Sequence, residues 1–443
     1  MSARFTIYDL DEARGTILRR RPFDEYTVSA RAGERLEALF GEPVSPQEAV
    51  RRIVRDVRER GDAALLDWTE RIDGVALESI AVPAEEIEAG YAATPLEVVE
   101  ALKLARDRIE AFYRRQPLGG WLHAGSDGLL GQLVLPIDRV GVYVPGGSAP
   151  LPSSLLMSAV PAQVAGVREV AACTPPGAGG SLPPVVLAAA TVAGVEMLYR
   201  LGGAQAIAAL AFGSESVRRV DKIVGPGNLF VTLAKREVYG LVGIDGLLGP
   251  TETLVIADDS ADPATVAADL LAQAEHDVLA QALLLTPSRT LAEAVAREVA
   301  AQAAALPRRE IIEGAIQTGS GAVIVPDLDA ALEVANAFAP EHLQLSVGEP
   351  TQWLGKIHHA GAVFLGEGSC EVFGDYVAGP SHSLPTGGTA RFASGINLMD
   401  FVKLTSFTGL GAEAARRLSA PAATLARAEE LDAHAAAAER RGA

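Results

Sequence analysis

The sequence predicts an α/β protein built from two parallel-sheet units, and three observations point there. Short apolar runs end in Gly/Pro-rich loops starting at Pro145, Thr174, Gly202 and Gly225, at spacings of 29, 28 and 23 residues, close to the length of a βαβ unit. A second series of apolar runs alternates with long Ala-rich stretches farther along the chain. The length, 443 residues, exceeds that of one ordinary domain.

Up to about Pro117 the pattern is helical. Ala49-Val-Arg-Arg-Ile-Val-Arg-Asp-Val-Arg-Glu-Arg places apolar residues at helical spacing with charges between them, and Glu100 to Arg115 repeats this. In the middle, Arg139-Val-Gly-Val-Tyr-Val leads into Pro145-Gly-Gly-Ser, and Glu169-Val-Ala-Ala-Cys into Thr174-Pro-Pro-Gly. Met197-Leu-Tyr-Arg-Leu leads into Gly202-Gly-Ala-Gln, and Lys222-Ile-Val into Gly225-Pro-Gly-Asn. Such repeats build a parallel sheet with helices on both faces. Ligands bind at the carboxyl ends of its strands, where these loops lie, so a nucleotide is expected there. Leu254-Val-Ile-Ala, Ala282-Leu-Leu-Leu-Thr, Ala322-Val-Ile-Val and Ala362-Val-Phe-Leu are the strands expected of the second unit. From about Asn397 the chain is expected to return to helix. Leu425 to Arg441 has little apolar surface of its own, so it needs another surface to lie on, such as a second subunit.

Composition narrows the function. Apolar residues make up 49% and charged residues 21%, enough for a large core and against disorder. The net charge of −18 argues against nucleic acid, which calls for a basic face. Cys173 and Cys370 are the two cysteines, too few for a disulfide framework, which suits a reducing compartment. Met1 to Tyr26 holds no apolar signal core, and the longest apolar stretch, Leu182 to Tyr199, is broken by two prolines and a glutamate. A soluble, cytoplasmic protein with no membrane partner is expected.

The motifs are individually ambiguous. Gly225-Pro-Gly-Asn-Leu-Phe approaches the dinucleotide fingerprint but lacks its last glycine; a plain turn reads as well. Backbone amides at a helix start can still hold a pyrophosphate. Gln273 and His276 stand at i, i+3 on a helix predicted over Ala264 to His276, which suits two ligands of one metal or a capping histidine. Glu341-His342 follows Ala339-Pro340, whose proline closes the preceding helix, so the pair falls at a helix-to-strand junction. A Glu beside a His can divide two proton transfers, or simply sit in an exposed polar loop. Asp375 precedes Gly379-Pro-Ser-His382-Ser-Leu-Pro-Thr-Gly-Gly, a metal or substrate loop or a structural one. Glu429 and His434, five apart on the tail helix, point about 140° apart. Together Gln, His, Asp and His suit zinc or a similar divalent ion, though spacing does not bring them together.

With these residues in view the chain resembles the histidinol dehydrogenases from about residue 45 onward. The blocks that carry the likeness are Tyr143-Val-Pro-Gly-Gly-Ser-Ala-Pro, Gly202-Gly-Ala-Gln-Ala-Ile-Ala-Ala-Leu-Ala-Phe-Gly, Val220-Asp-Lys-Ile-Val-Gly-Pro-Gly-Asn, Gln273-Ala-Glu-His, Ala339-Pro-Glu-His-Leu and the run from Gly374 to Phe392. The resemblance implies one zinc ion per subunit on Gln273, His276 and Asp375, with His434 arriving from a partner subunit. It implies NAD contacts from Tyr143, Gln205 and Asn228. It implies substrate contacts from Ser153, Thr251, Gln273, His276, His342, Asp375, His382, Glu429 and His434, with Glu429 holding an imidazole. The implied reaction is oxidation of an amino alcohol, histidinol, through a bound aldehyde to the amino acid, using two NAD. His342 takes the alcohol proton and Glu341 activates water for the second step.

The implied fold is two incomplete Rossmann-like domains, aldehyde-dehydrogenase-like, in a domain-swapped homodimer with a shared active site. Residues 1–37 form an N-terminal helical arm, 38–142 with 252–396 a first domain carrying the zinc site, 143–251 a second domain for NAD, and 397–443 a helical tail reaching the partner. Two departures leave the substrate open. Thr251 stands where many members have serine, and Glu275-His-Asp-Val-Leu-Ala-Gln replaces the common Glu-His-Gly-Pro-Asp-Ser-Gln. The alternative is a paralogue oxidising another alcohol or diol, such as sulfopropanediol. Further rivals are an aldehyde dehydrogenase using Cys173 or Cys370 as nucleophile, and a silent dimeric binding protein. His123, His358 and His359 receive no role beyond surface positions.

Overall fold

The computed structural model describes residues 4–20, 30–146 and 149–442. Parts of two expected features, the arm 1–37 and the Pro145-Gly-Gly-Ser loop, lie outside the described residues.

Two parallel sheets form the body. The five-stranded sheet runs Met197–Arg200, Glu169–Thr174, Arg139–Tyr143, Lys222–Val224, Gly243–Ile244. Counted along the chain this is order 3-2-1-4-5, the doubly wound order without its sixth strand. The six-stranded sheet runs Ile7–Asp9, Gly321–Ile324, Gln281–Thr286, Glu252–Ala257, His342–Ser346, Ala362–Leu365. Its last five strands repeat the same order, and the N-terminal segment adds the edge strand.

Both sheets read as apolar runs because both faces are covered. On the five-stranded sheet Val140, Val142 and Ala172 enter one core while Tyr143, Ala171 and Cys173 enter the other. On the six-stranded sheet Val255, Ala282 and Leu284 face one side, and Leu254, Leu283 and Leu343 the other. A third, antiparallel sheet of Val402–Leu410, Gly128–Pro136 and Trp121–Gly125 stands apart from these cores. Among the described residues no helix is long and apolar enough to cross a membrane.

The expected boundaries change in three places. The helices Pro46–Arg60 and Leu96–Tyr113, grouped above with the first domain, pack on the five-stranded sheet, against Gly203–Phe212 and Pro152–Val164. Residues 139–142, also placed there, belong to that sheet's central strand, Arg139–Tyr143. Helical periodicity shows that a helix buries a face but not which sheet receives it. The N-terminal arm is part strand, since Ile7–Asp9 pairs with Gly321–Ile324. The tail begins as the strand Val402–Leu410, whose partner Gly128–Pro136 is distant in sequence, and only then becomes helical. Its helices Ala412–Ala428 and Asp432–Glu439 are separate, with Glu430 at φ 60° between them, so Glu429 and His434 do not share one helix.

Candidate active site

A cleft of about 220 Å³ opens between the two parallel sheets. One wall comes from loops at the carboxyl ends of the five-stranded sheet, with Pro145, Ser153, Ser154, Pro226 and Gly227. The other comes from the amino ends of the six-stranded sheet, with Thr251, Glu341 and His342. The carboxyl-end rule thus holds for one sheet, and the other presents its opposite edge. It does so where its strand order reverses, between Glu252–Ala257 and His342–Ser346.

Local sequence places each group. The helix Leu328–Phe338 ends at Ala339, which takes a left-handed conformation (φ 53°, ψ 66°) ahead of Pro340. The chain turns there and delivers Glu341 and His342 to the start of a strand. Both are buried, not in an exposed loop. Glu341 Oε2 accepts from Thr251 Oγ1 at 2.7 Å and from the Glu252 amide at 3.0 Å. His342 Nδ1 lies 3.1 Å from the Glu252 carbonyl, a partner that only N–H can satisfy, so the neutral ring carries its proton on Nδ1. Its Nε2 is buried with no hydrogen-bond partner among the described residues, 4.0 Å from Asp375 Oδ1.

Asp262 caps the helix Pro263–Ala274 by accepting from Thr265 N, with Pro263 in the first turn. That helix stops two residues short of His276; its last turn carries Gln273 to the cleft, and the turn that follows carries His276. The Gln273 amide faces Glu371 Oε1 at 2.7 Å on one side and Glu252 N at 2.7 Å and Thr251 Oγ1 at 2.6 Å on the other. The helix Glu371–Tyr376 places Asp375 one turn beyond Glu371, on the same face. His382 has both ring nitrogens engaged, Nε2 3.2 Å from Ser154 Oγ and Nδ1 3.0 Å from the Asp375 carbonyl.

Acidic groups crowd this space. Burial pushes Glu341 up to about 7, with the His342 charge and the Thr251 bond pulling the other way. Asp375 rises to about 7 through burial, His342 opposing and Glu371 adding. Burial opposes a charged His342, but Glu341, Glu371 and Asp375 outweigh it and raise that ring to about 9. Burial holds His382 down to about 4. His276, at the open mouth, is kept below its ordinary value by crowding and by His342.

The cleft is therefore short of positive charge, and its donors fit a divalent cation. His276 offers an imidazole and Asp375 a carboxylate, with the Gln273 side-chain amide beside them. Among the described residues no three His, Cys, Asp or Glu side chains gather as a metal cluster. His434 and Glu429 are exposed on the tail and do not line the cleft of their own chain.

The residues expected to meet NAD stand around the loops of the five-stranded sheet. Tyr143 is buried, and its hydroxyl accepts from Gly203 N at 3.1 Å, at the start of the helix Gly203–Phe212. Gln205 is buried in the same helix, its Oε1 without a hydrogen-bond partner among the described residues and its Nε2 in a long 3.5 Å bond to Asp73. Asn228 is exposed and caps the helix Leu229–Val238 by accepting from Phe230 N and Val231 N. Gly225 has φ 111°, and a Cβ there would lie 2.2 Å from the Tyr143 carbonyl, so only glycine allows this close turn. The first amides of these two helices are taken by the Tyr143 hydroxyl and the Asn228 side chain.

Sequence reasoning missed Glu252, Glu371 and Ser154. The four-residue spacing of Glu371 and Asp375 was a readable signal. Glu252 holds Glu341 and His342 through its backbone, which no side-chain pattern betrays.

Asp73 yields a pH prediction. Burial raises its carboxyl to about 6, against the pull of Arg35. A folded value above the unfolded one means the native state holds the proton longer, so stability falls as pH rises from about 4 to about 6. Asp73→Asn is expected to match the parent at pH 4 and to exceed it above pH 6 by about 1–2 kcal/mol, allowing for solvent screening. Urea unfolding of both chains at pH 4 and pH 7.5 checks this; an equal difference at the two pH values would contradict it.

The family model described as histidinol dehydrogenase matches residues 42–442. The histidinol dehydrogenase of Deinococcus radiodurans is 52% identical, over 97% of this chain and 98% of that protein. That of Moorella thermoacetica is 54% identical, over 88% of this chain and 93% of its own length. The crystal structure of histidinol dehydrogenase from Elizabethkingia anophelis superposes with a TM-score of 0.90 at 34% identity, covering 100% of this chain and 98% of the other. A match this long, at this identity and with this structural agreement, makes the chain a member of the histidinol dehydrogenase family of oxidoreductases.

Proposed function

We propose that this protein oxidises L-histidinol to L-histidine in two steps, with zinc and two NAD per turnover, as a homodimer with shared active sites. The observation that carries the reading is the buried Glu341–His342 pair, set beside Gln273, His276 and Asp375 where the cleft meets the Gly-rich loops.

A zinc ion held by Gln273, His276, Asp375 and His434 of the partner subunit would anchor the substrate's amine and imidazole and fix its orientation. NAD along the loops of Tyr143, Gln205 and Asn228 would supply the hydride acceptor for each oxidation. The proton steps belong to the chain. Neutral His342, with Nδ1–H held by the Glu252 carbonyl, accepts the alcohol proton at Nε2 as hydride leaves carbon, giving the aldehyde. Glu341 takes a proton from water as the water oxygen bonds to the aldehyde carbon. His342 returns its proton to the former carbonyl oxygen, giving the hydrate. His342 then accepts a hydroxyl proton of the hydrate at Nε2 as the second hydride leaves, and the acid results. Glu429 of the partner subunit suits the substrate's imidazole N–H.

The cysteines stay outside this scheme. Cys173 is fully buried and its thiol is pushed well above the usual range by that burial. Full activity of Cys370→Ser is the expected result.

Exposed leucines support the dimer. Leu122, Leu129, Leu130, Leu133 and Leu404 lie open on the antiparallel sheet, and Leu425 on the tail is 67% exposed. An apolar stretch of this extent calls for a partner. His276→Asn and His434→Asn chains are each expected to lose activity alone. Mixed before assembly, they should recover roughly a quarter of it, since half of random dimers are mixed and each holds one intact site. Absence of recovery would contradict shared sites.

Turnover of histidinol with counted NADH tests the function. Two NADH per histidinol are expected; one NADH, or turnover confined to diols such as sulfopropanediol, would overturn it.

A further inference from the structure

Arg20 lies in the N-terminal segment, far in sequence from the cleft and not in contact with it. Its guanidinium nevertheless closes a network directly behind the reacting pair. Nη1 donates to Glu252 Oε1 at 2.6 Å, and Nε donates to the Phe338 carbonyl at 2.8 Å. Nη2 donates to the carbonyls of Phe338 and Ala339, the latter at 3.0 Å. The group also lies over the Phe338 ring, 3.5 Å from its centre. Each of its three nitrogens thus donates to the strand start at Glu252 or to the end of the helix that delivers Glu341.

Glu252 is the hinge of the network. Its side chain is 3% exposed, and Oε1 also accepts from Gly387 N at 2.6 Å, which ties down the loop carrying His382 and Thr386. Its Oε2 has no hydrogen-bond partner among the described residues. Its backbone amide holds Glu341 and its carbonyl holds His342 Nδ1. Ala339, a non-glycine residue in the left-handed region, sits between the helix and the pair, with its carbonyl on Arg20. Without Arg20, a buried carboxylate would keep one amide partner, and the strained turn would lose the donor on its carbonyl.

We propose that Arg20 and Glu252 are positioning residues of the reaction. They lock the strand start, the helix end and the Gly387 loop together, so that Glu341 and His342 Nε2 meet the substrate in a single geometry. The proposal rests on the roles of Glu341 and His342 given above.

The test is steady-state kinetics of full-length Arg20→Ala and Glu252→Gln against the parent chain. Parent turnover of histidinol separates the two ideas: an inactive parent refutes the proposed function, and an active one makes the comparison meaningful. Both variants are expected to lose about 10–100-fold in kcat, the scale of a small misplacement, with KM for histidinol within about threefold. Millimolar guanidinium ion should restore part of the kcat of Arg20→Ala, while equal urea should not. Guanidinium should not restore Arg20→Ala/Glu252→Gln, which lacks the anion that would seat it. If Arg20→Ala does not fold, Glu252→Gln carries the test, since it keeps the backbone bonds to the pair. Parent-like kcat in either folded variant, or a folded Arg20→Ala that guanidinium leaves unrestored, overturns the proposal.

Discussion

A Glu341→Gln chain is expected to form the aldehyde at close to the native rate and to slow by about 10²–10⁴ in the second oxidation. Glutamine preserves the local structure. Its amide oxygen can still accept from Thr251 Oγ1 and from Glu252 N, so neither donor is orphaned. What it cannot do is take a proton from water. The first oxidation has no such demand, because His342 receives that proton. Removing the Glu341 charge also takes away the foremost of the carboxylates that raise His342, which favours the neutral base. His342→Asn should behave differently and slow both steps, since both deliver a proton to Nε2. Single-turnover measurements started from histidinol, and separately from the aldehyde, distinguish the two patterns. Equal losses in both steps for Glu341→Gln would sink the division of labour.

Lys235→Met is expected to destabilise the protein by about 3–5 kcal/mol, the scale for breaking a buried ion pair on one side. Lys235 and Asp245 have side chains 2% and 5% exposed, and Nζ lies 2.6 Å from Asp245 Oδ1. The ammonium also donates to the Gly225 carbonyl, and Asp245 Oδ2 accepts from Gly225 N at 2.7 Å. The pair therefore holds both backbone groups of the glycine that opens the Gly225-Pro-Gly-Asn loop. Losing the lysine leaves Asp245 charged in the core and frees the loop proposed to meet NAD. KM for NAD should rise while KM for histidinol changes little. Lys235→Met/Asp245→Asn should regain part of the stability, because no unpaired charge remains. Urea midpoints and the two KM values check this; a loss below about 1 kcal/mol would contradict it.

How much of this could be read in advance varies by element. The strands after which the four Gly/Pro loops follow stand where their apolar runs put them. Burial on both faces leaves a strong local signal. The helix-to-strand junction at Ala339-Pro340 was legible for the same reason, as backbone chemistry confined to a few residues. The antiparallel sheet was not. Gly128–Pro136 and Val402–Leu410 are exposed on much of their length, and each becomes a strand only through a partner far along the chain. The Arg20–Glu252 contact, across 232 residues, left no trace in spacing.

The sequence alone determined a two-unit α/β protein, the loops at the carboxyl ends of one sheet, and residue types suited to a cation and to proton transfer. Those properties are local, set by periodicity, turn chemistry and side-chain identity. The tertiary structure decided what long-range packing decides. It placed the helices 46–113 on the five-stranded sheet, set one sheet's carboxyl edge against the other's amino edge, and brought Gln273, His276, Glu341, His342 and Asp375 to one cleft while leaving His434 outside it. Periodicity records that a face is buried, and only the folded chain determines what buries it.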